Sequence, residues 1–230
     1  MSARRYHHPA TGETFAFSAS TEEHIVWWER KYPAERRQSA VIPALWVVQK
    51  QNDGWLSEPA LRAVADRLGM PYIRVYEVAT FYTMFNLEPV GKFHFQLCGT
   101  TPCMLRGAEK LKNVCERKIG PKGKVSNGGL FSWIEVECLG ACVNAPMIQI
   151  NDYFYEDLSV DSLDTIIEDF AAGRSPAPGP YIKRDASAPQ GPATSLTDET
   201  LYDGSRARPL VTIPGAPQPA ANADAPPAKA

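Results

Sequence analysis

The sequence predicts a chain of mixed class, α+β grading into α/β, laid out in successive segments. Helical apolar stripes between capping residues mark the first third. Alternation of apolar and polar residues starts only after Gly91, on either side of another helical stretch. Beyond Arg174 the composition shifts again, and that stretch holds 11 of the chain's 20 prolines. The expected boundaries are an N-terminal extension at 1–19, a helical bundle at 20–88, an α/β unit at 89–173 and an extended Pro-rich tail at 174–230.

In the bundle, Ser20-Thr21-Glu22-Glu23 reads as a capping box, a hydroxyl followed by a carboxylate three residues on. It predicts a helix to about Lys31, stopping before Pro33. A second apolar segment spans about 37–51, where Pro43 demands a kink or a later start. Ser57 caps a third helix with Pro59 in its first turn. Leu61, Val64, Ala65 and Leu68 form its apolar face, and Gly69 and Pro71 end it. Val75, Val78, Ala79 and Tyr82 repeat the stripe in a fourth helix.

Phe93, Phe95 and Leu97 alternate with His94 and Gln96, which predicts a strand. Thr101-Pro102 then reads as a cap and first-position proline, opening one helix to about Lys118 with Leu111, Cys115 and Ile119 on its inner face. Residues 133–137 alternate again as a second strand. Residues 147–150 and 153–155, split by Asn151-Asp152, predict a hairpin. A last helix covers about 160–172 and ends at Gly173. The tail beyond Arg174 has too few large apolar residues to offset the entropy of ordering. It is expected to be disordered alone or laid along a partner.

Several function classes fall away on composition. The net charge of −2 offers no basic footprint for nucleic acid. No apolar run approaches the roughly 20 residues of a membrane span, so no direct membrane insertion is expected. The N-terminus carries two arginines but no apolar core of a secretory signal. Gly128-Gly129 is a turn and not a phosphate-binding G-x-G-x-x-G, so no nucleotide or flavin site is expected in this chain. No nucleophile–base constellation is present either.

The cysteines carry the chemistry. Cys98 and Cys103 have four residues between them, Cys138 and Cys142 three, and 34 residues separate the pairs. A dithiol redox site would need C-x-x-C. Zinc sites favour two to four residues within a pair, so zinc fits loosely. An iron–sulfur cluster held by four cysteines fits well. If the strand before Cys98, the helix and the strand before Cys138 form a βαβ crossover, the strands are parallel and both cysteine loops leave the same sheet edge. Cys103 then sits in a helix first turn, where free amides and the dipole favour negative sulfur. Gly99 and Gly140 leave room for backbone amides to face the sulfurs. The fifth cysteine, Cys115, lies on the helix stripe and reads as core. His7, His8, His24 and His94 have no partner at ligand spacing. Glu156-Asp157 reads as a solvated or capping pair. The Trp27-Trp28 and Phe81-Tyr82 aromatics read as core or interface.

These residues resemble a known family. Cys98-x4-Cys103, Val-Glu-Cys-Leu-Gly-Ala-Cys-Val-Asn-Ala-Pro at 136–146, and Arg-Val-Tyr-Glu-Val-Ala-Thr-Phe-Tyr at 74–82 are similar to the thioredoxin-like [2Fe-2S] ferredoxin subunits, of the E type, found in respiratory NADH:quinone oxidoreductase (complex I). The likeness covers about residues 14 to 180. It implies a thioredoxin-like domain after the helices and one [2Fe-2S] cluster on Cys98, Cys103, Cys138 and Cys142. It implies an electron-transfer role beside a flavoprotein subunit that binds FMN and NADH, with the large iron–sulfur subunit adjoining. The N-terminal helices and the tail are expected to form the interface with those partners. The expected location is the peripheral arm on the cytoplasmic side of the bacterial inner membrane, or alternatively the matrix side of the mitochondrial one. The other readings are the equivalent subunit of an NAD-linked hydrogenase or formate dehydrogenase, and a zinc-stabilised interaction module.

Overall fold

The computed structural model describes residues 14–191 and 195–205. His7 and His8 lie outside these residues, as does most of the far tail. The first helix, α1 (Ala19–Glu29), is capped by Ser18 and not by Ser20: Ser18 is extended, and its Oγ accepts the Thr21 amide at 3.2 Å. The cap is a serine hydroxyl as expected, but two residues earlier, and the expected box is not formed, since the residue three positions on is Thr21 and not a carboxylate. Pro43 is accommodated by a later start, because a 3₁₀ segment fills Ala34–Ala40 and α2 (Val41–Gln51) places the proline in its first turn. α3 (Glu58–Leu68) has the expected Ser57 cap and a left-handed Gly69 at its end. α4 (Tyr72–Phe81) buries Val75 and Ala79, but Tyr82 lies past its end and is exposed. Ile25, Leu45, Val48, Leu61, Val64, Leu68, Val75 and Phe85 form one apolar core among these helices. Arg67 ties α3 to α1 with a two-pronged pair to Glu29 and a third bond to Glu22.

The second core belongs to a six-stranded mixed sheet. Its strands are β1 (Phe93–Cys98), β2 (Val125–Ser126), β3 (Phe131–Val136), β4 (Ile148–Ile150), β5 (Tyr153–Glu156) and β6 (Gly179–Pro180), in the order β2-β3-β1-β4-β5-β6. β1 and β3 run parallel, with Phe95 opposite Trp133 and Cys98 opposite Val136. β4 and β5 form the hairpin, Ile150 facing Tyr153 across the Asn151-Asp152 turn, and Asn151 takes a φ of 51°. One sheet face buries Phe95, Phe131, Trp133, Ile148 and Tyr155 under α6 (Ala108–Lys118) and α7 (Val160–Ala171). The Trp133 indole completes this side by donating to the Gly120 carbonyl at 2.7 Å.

The structure departs from expectation in this half of the chain. The helix after Cys98 is two helices: α5 (Thr101–Leu105) stops, Gly107 takes a φ of 109°, and α6 begins at Ala108. Only glycine adopts that backbone without strain. The second sheet face borders a cleft lined also by the 83–92 link and α2, from which Lys50 reaches Asp152 in the hairpin turn at 2.8 Å, and on that face His94 is buried. Its ring meets Ser132 Oγ at 2.7 Å. The stretch after Arg174 is also more ordered than its composition suggests. Gly179–Pro180 adds a parallel strand to β5, Tyr181 packs on the second core, and Arg184 pairs with Asp157. Glu156-Asp157 is therefore no solvated pair.

Candidate metal centre

Parallel pairing fixes where the cysteines emerge. Cys98 is the last residue of β1 and pairs with Val136 at the end of β3, two residues before Cys138. Both loops leave the same edge, and the Leu139 amide of one lowers the Cys98 thiol of the other. The Thr100 hydroxyl lies 3.2 Å from the same sulfur. Thr100, and not Thr101, is the cap residue of α5, yet its side chain makes no capping bond, having turned to Cys98. Cys103 sits in the first turn of α5, and the Met147 amide lowers its thiol against stronger opposing causes.

The second pair lies closer to solvent. Cys138 Sγ and Cys142 Sγ are 3.6 Å apart, and the Gly140 amide donates to Cys138 at 3.4 Å. Gly140 has a φ of 81°, which lets the loop turn this amide back onto the sulfur. Cys98 and Cys103 are buried, while Cys138 and Cys142 are exposed. The site thus has a dry side and a surface side, flanked by exposed Met104, Leu105 and Val143.

Electrostatics shows the sulfurs acting on one another. Burial opposes ionisation of Cys98, but bonds from Thr100 and Leu139 outweigh it and hold this thiol below its ordinary range. Burial, then the neighbouring Cys98, pushes Cys103 up to about 12, with Cys142 adding to the effect. Cys142 is raised by its bond with Cys138, by burial, and by the charges of Cys138 and Cys98. Protons alone therefore permit few thiolates here, and cationic metal would reverse that balance.

This donor set fits a binuclear cluster. Among the described residues no group of three or more His, Cys, Asp or Glu side chains is arranged to hold a single metal ion. Cys138 and Cys142 stand side by side, and with Cys98 and Cys103 they offer the two pairs of sulfurs that a binuclear cluster would take. Tetrahedral ligands at about 2.3 Å from a metal are about 3.8 Å apart, close to the Cys138–Cys142 separation. Amides and a hydroxyl facing the sulfurs are the bonds that stabilise cluster thiolates. Cys115 stands apart, fully buried in α6, with burial pushing its thiol up to about 12.

Residues 27–171 match the family described as thioredoxin-like [2Fe-2S] ferredoxin. The chain belongs to the thioredoxin-like [2Fe-2S] ferredoxin family. A [2Fe-2S] cluster is the cofactor of this family, and the cysteine site has the sulfur for it. The chain is 54% identical over 189 residues to the NADH-quinone oxidoreductase E subunit numbered 1 of Rhizobium meliloti (strain 1021), covering 79% of this chain and 67% of that protein. It is 56% identical over 140 residues to the NADH-quinone oxidoreductase E subunit of Rickettsia bellii (strain RML369-C), covering 60% and 84%. A crystal structure of an NAD+-reducing [NiFe]-hydrogenase in the H2-reduced state shares the fold, with a TM-score of 0.50 and 21% identity. That match covers 56% of this ferredoxin and only 22% of the hydrogenase chain.

Sequence reasoning singles out the four cysteines and the Gly140 turn, whose amide does face a sulfur, and misses other groups around them. The Leu139 and Met147 amides carry no side-chain signal. The Thr100 hydroxyl does carry one, since CGTTPC offers two hydroxyls and a helix cap uses only one.

Proposed function

We propose that this chain is the electron-transferring E-type subunit of an NADH:quinone oxidoreductase, holding one [2Fe-2S] cluster on Cys98, Cys103, Cys138 and Cys142. The observation that supports the ligand assignment is the parallel register of β1 and β3, which sets Cys98 opposite Val136, two residues before Cys138. The complex assignment rests on the two oxidoreductase relatives. The hydrogenase likeness is one of fold.

The bound cluster would supply one-electron transfer. The protein's own part is to hold and screen it. Cys98 and Cys103 anchor the inner side, where Ala145, Met147 and Leu97 keep out water. Cys138 and Cys142 present the outer side to a partner, and the exposed Met104, Leu105 and Val143 give that partner an apolar rim to cover. The chain has no phosphate-binding glycine loop, so FMN and NADH are assigned to the flavoprotein partner, with the large iron–sulfur subunit adjoining. Trp27, Ile73, Phe81 and Tyr82 are exposed on the helical part and extend the docking surface. Among the described residues no helix is long and apolar enough to cross a membrane, in keeping with a place in a peripheral arm. The bacterial cytoplasmic face is the side we assign.

The test is anaerobic iron and sulfide quantification of native protein, with low-temperature EPR after reduction. About two irons and two sulfides per chain and a half-integer spin signal are expected. Zinc without sulfide would overturn the cluster. Co-purification with a hydrogenase or formate dehydrogenase would overturn the complex assignment.

A further inference from the structure

The loop that follows Cys142 is held by a distant stretch of chain. Val143, Asn144 and Ala145 lead from the outer cysteine back into β4. The Arg184 guanidinium donates to the Val143 carbonyl at 2.8 Å and grips both oxygens of Asp157, its Nε reaching Oδ2 at 2.8 Å. These two side chains are only 8% and 4% exposed. Asp157 in turn sends its amide to the Asn144 carbonyl at 2.8 Å, and Leu158 does the same to Pro146 at 3.0 Å. The Asn144 side-chain amide reaches Glu156 at 3.1 Å and the Ala186 carbonyl at 3.0 Å. Asn144 is 1% exposed, so this is an interior junction and not a surface contact. The stretch bearing Arg184 and Ala186 is fixed upstream by the β6 pairing and by the Tyr181 amide bonding Glu156 at 2.9 Å.

The chemistry of this junction is specific. A planar guanidinium makes a forked pair with a carboxylate and still has an N–H for a carbonyl, which an ammonium cannot match. Asp157 holds a φ of 53°, outside the ordinary range for a residue with a side chain, and the surrounding bonds keep it there. A buried carboxylate with that backbone would be costly without its partner. The molecule thus commits a buried ion pair, a strained residue and a buried asparagine to one place, one residue beyond Cys142.

We propose that residues 179–188 form a strap that sets the position of the Cys142 loop, with Arg184 as its positioning residue. This rests on the assignment of Cys142 as a cluster ligand. Arg184 does not touch sulfur. It acts through the Val143 carbonyl and through Asp157, which together fix the path of the chain leaving Cys142. Partners of this outer-shell kind typically change metal affinity by about 10–100-fold.

Three full-length variants test it: Arg184→Met, Arg184→Lys, and Arg184→Met combined with Asp157→Asn. The readouts are the rate of iron loss to excess chelator, the EPR g-values, the unfolding midpoint and amide exchange across 141–148. Arg184→Met is expected to lose iron about 10–100-fold faster than wild type, with shifted g-values. The double variant removes the stranded carboxylate, so its unfolding midpoint returns toward wild type while iron loss stays fast. Arg184→Lys keeps the charge and loses the fork, so it recovers the midpoint and not the release rate. Wild-type release and g-values in Arg184→Met would overturn the proposal. So would a double variant in which release slows in step with recovered stability. A wild-type chain without iron and sulfide would instead sink the four-cysteine assignment. Amide exchange would then decide the strap, which requires lost protection around Asn144 and Ala145 in Arg184→Met.

Discussion

Gly99 and Glu135 occupy almost the same space. A Cβ on Gly99 would lie 2.1 Å from Glu135 Oε1 and 2.8 Å from its Cδ. To admit that Cβ the Glu135 tail must shift, away from Lys112 of α6, which holds its carboxylate at 2.6 Å, and from Lys122, 3.7 Å off. A side chain after Cys98 is thus opposed by a contact between β3 and α6. Gly99→Ala is expected to cost at most about 1 kcal/mol, the size of the partly exposed ion pair it disturbs. Chemical unfolding of the full chain measures it. In a Glu135→Ala background the same change should cost much less, and an equal cost in both backgrounds would refute the clash.

The Lys112–Glu135 pair also sets a pH dependence. Bonding to Lys112, against a smaller penalty from burial, holds the Glu135 carboxyl below its ordinary 4.5. Its contribution is present above that value and is lost as pH falls through the lower, folded one. Lys112 is raised above 10.5, chiefly by its bond with Glu109 and then by Glu135, so its share is lost only as pH rises past that value. The stability difference between wild type and Glu135→Gln should stay flat from 4.5 to 10.5 and shrink below. The pair is partly exposed, so a difference of at most about 1 kcal/mol is expected. Taking the difference removes acid effects common to both proteins. A difference that grows in acid would reverse the sign and refute the assignment.

Ser132 is a second buried link whose loss can be forecast. Its hydroxyl accepts the Gly91 amide at 2.8 Å and lies 2.7 Å from His94 Nδ1, so one oxygen joins β3 to both the entry and the second residue of β1. With the amide donating to it, the hydroxyl proton is free to point at the imidazole. Ser132→Ala strands a buried N–H and weakens the ring's position, at an expected cost of about 1–3 kcal/mol. Thermal or urea unfolding would show it. A loss within about 0.5 kcal/mol, the size of an ordinary surface change, would contradict the buried role.

Residues alone reveal what local pattern encodes. The Phe93-Phe95-Leu97 alternation, the Asn151-Asp152 turn and the Ser57 and Gly69 helix ends each depend on a few neighbours, and each stands in the structure. One topological step, the parallel pairing of β1 with β3, brings the cysteine loops together, and the register bears it out. The failures share a cause. Gly107 breaks a helix whose apolar stripe runs on regardless, since Leu111 and Cys115 serve α6 just as well. The strand alternation does not announce the burial of His94, because the residues that line the adjoining cleft with it, Trp46 and Lys50, lie some forty positions earlier. Arg184 and Asp157 are 27 residues apart, and nothing near either announces the other. By composition the stretch after Arg174 buries too little surface to be ordered, yet a strand pair, one tyrosine and one arginine suffice to seat its first part.

The fifth cysteine gives the sharpest contrast with the proposed ligands. Cys115 is fully buried, and its thiol is pushed up to about 12, so near pH 8 only about one molecule in 10⁴ carries the reactive thiolate. Cys138 and Cys142 are exposed. In the chain stripped of metal, iodoacetamide should modify those two before the buried thiols, with Cys142 slowed by its raised thiol, and leave Cys115 untouched until unfolding. Loading with iron and sulfide should slow the fast pair, because a thiolate bound to metal is no longer a free nucleophile. Mass spectrometry of labelled peptides reads both states. Cys103→Ala should abolish the visible and EPR signatures, whereas Cys115→Ala should keep them at a stability cost of about 1 kcal/mol. Labelling of Cys138 at the same rate with and without loaded iron would remove it from the ligand set, and a cluster that survived Cys103→Ala would remove Cys103.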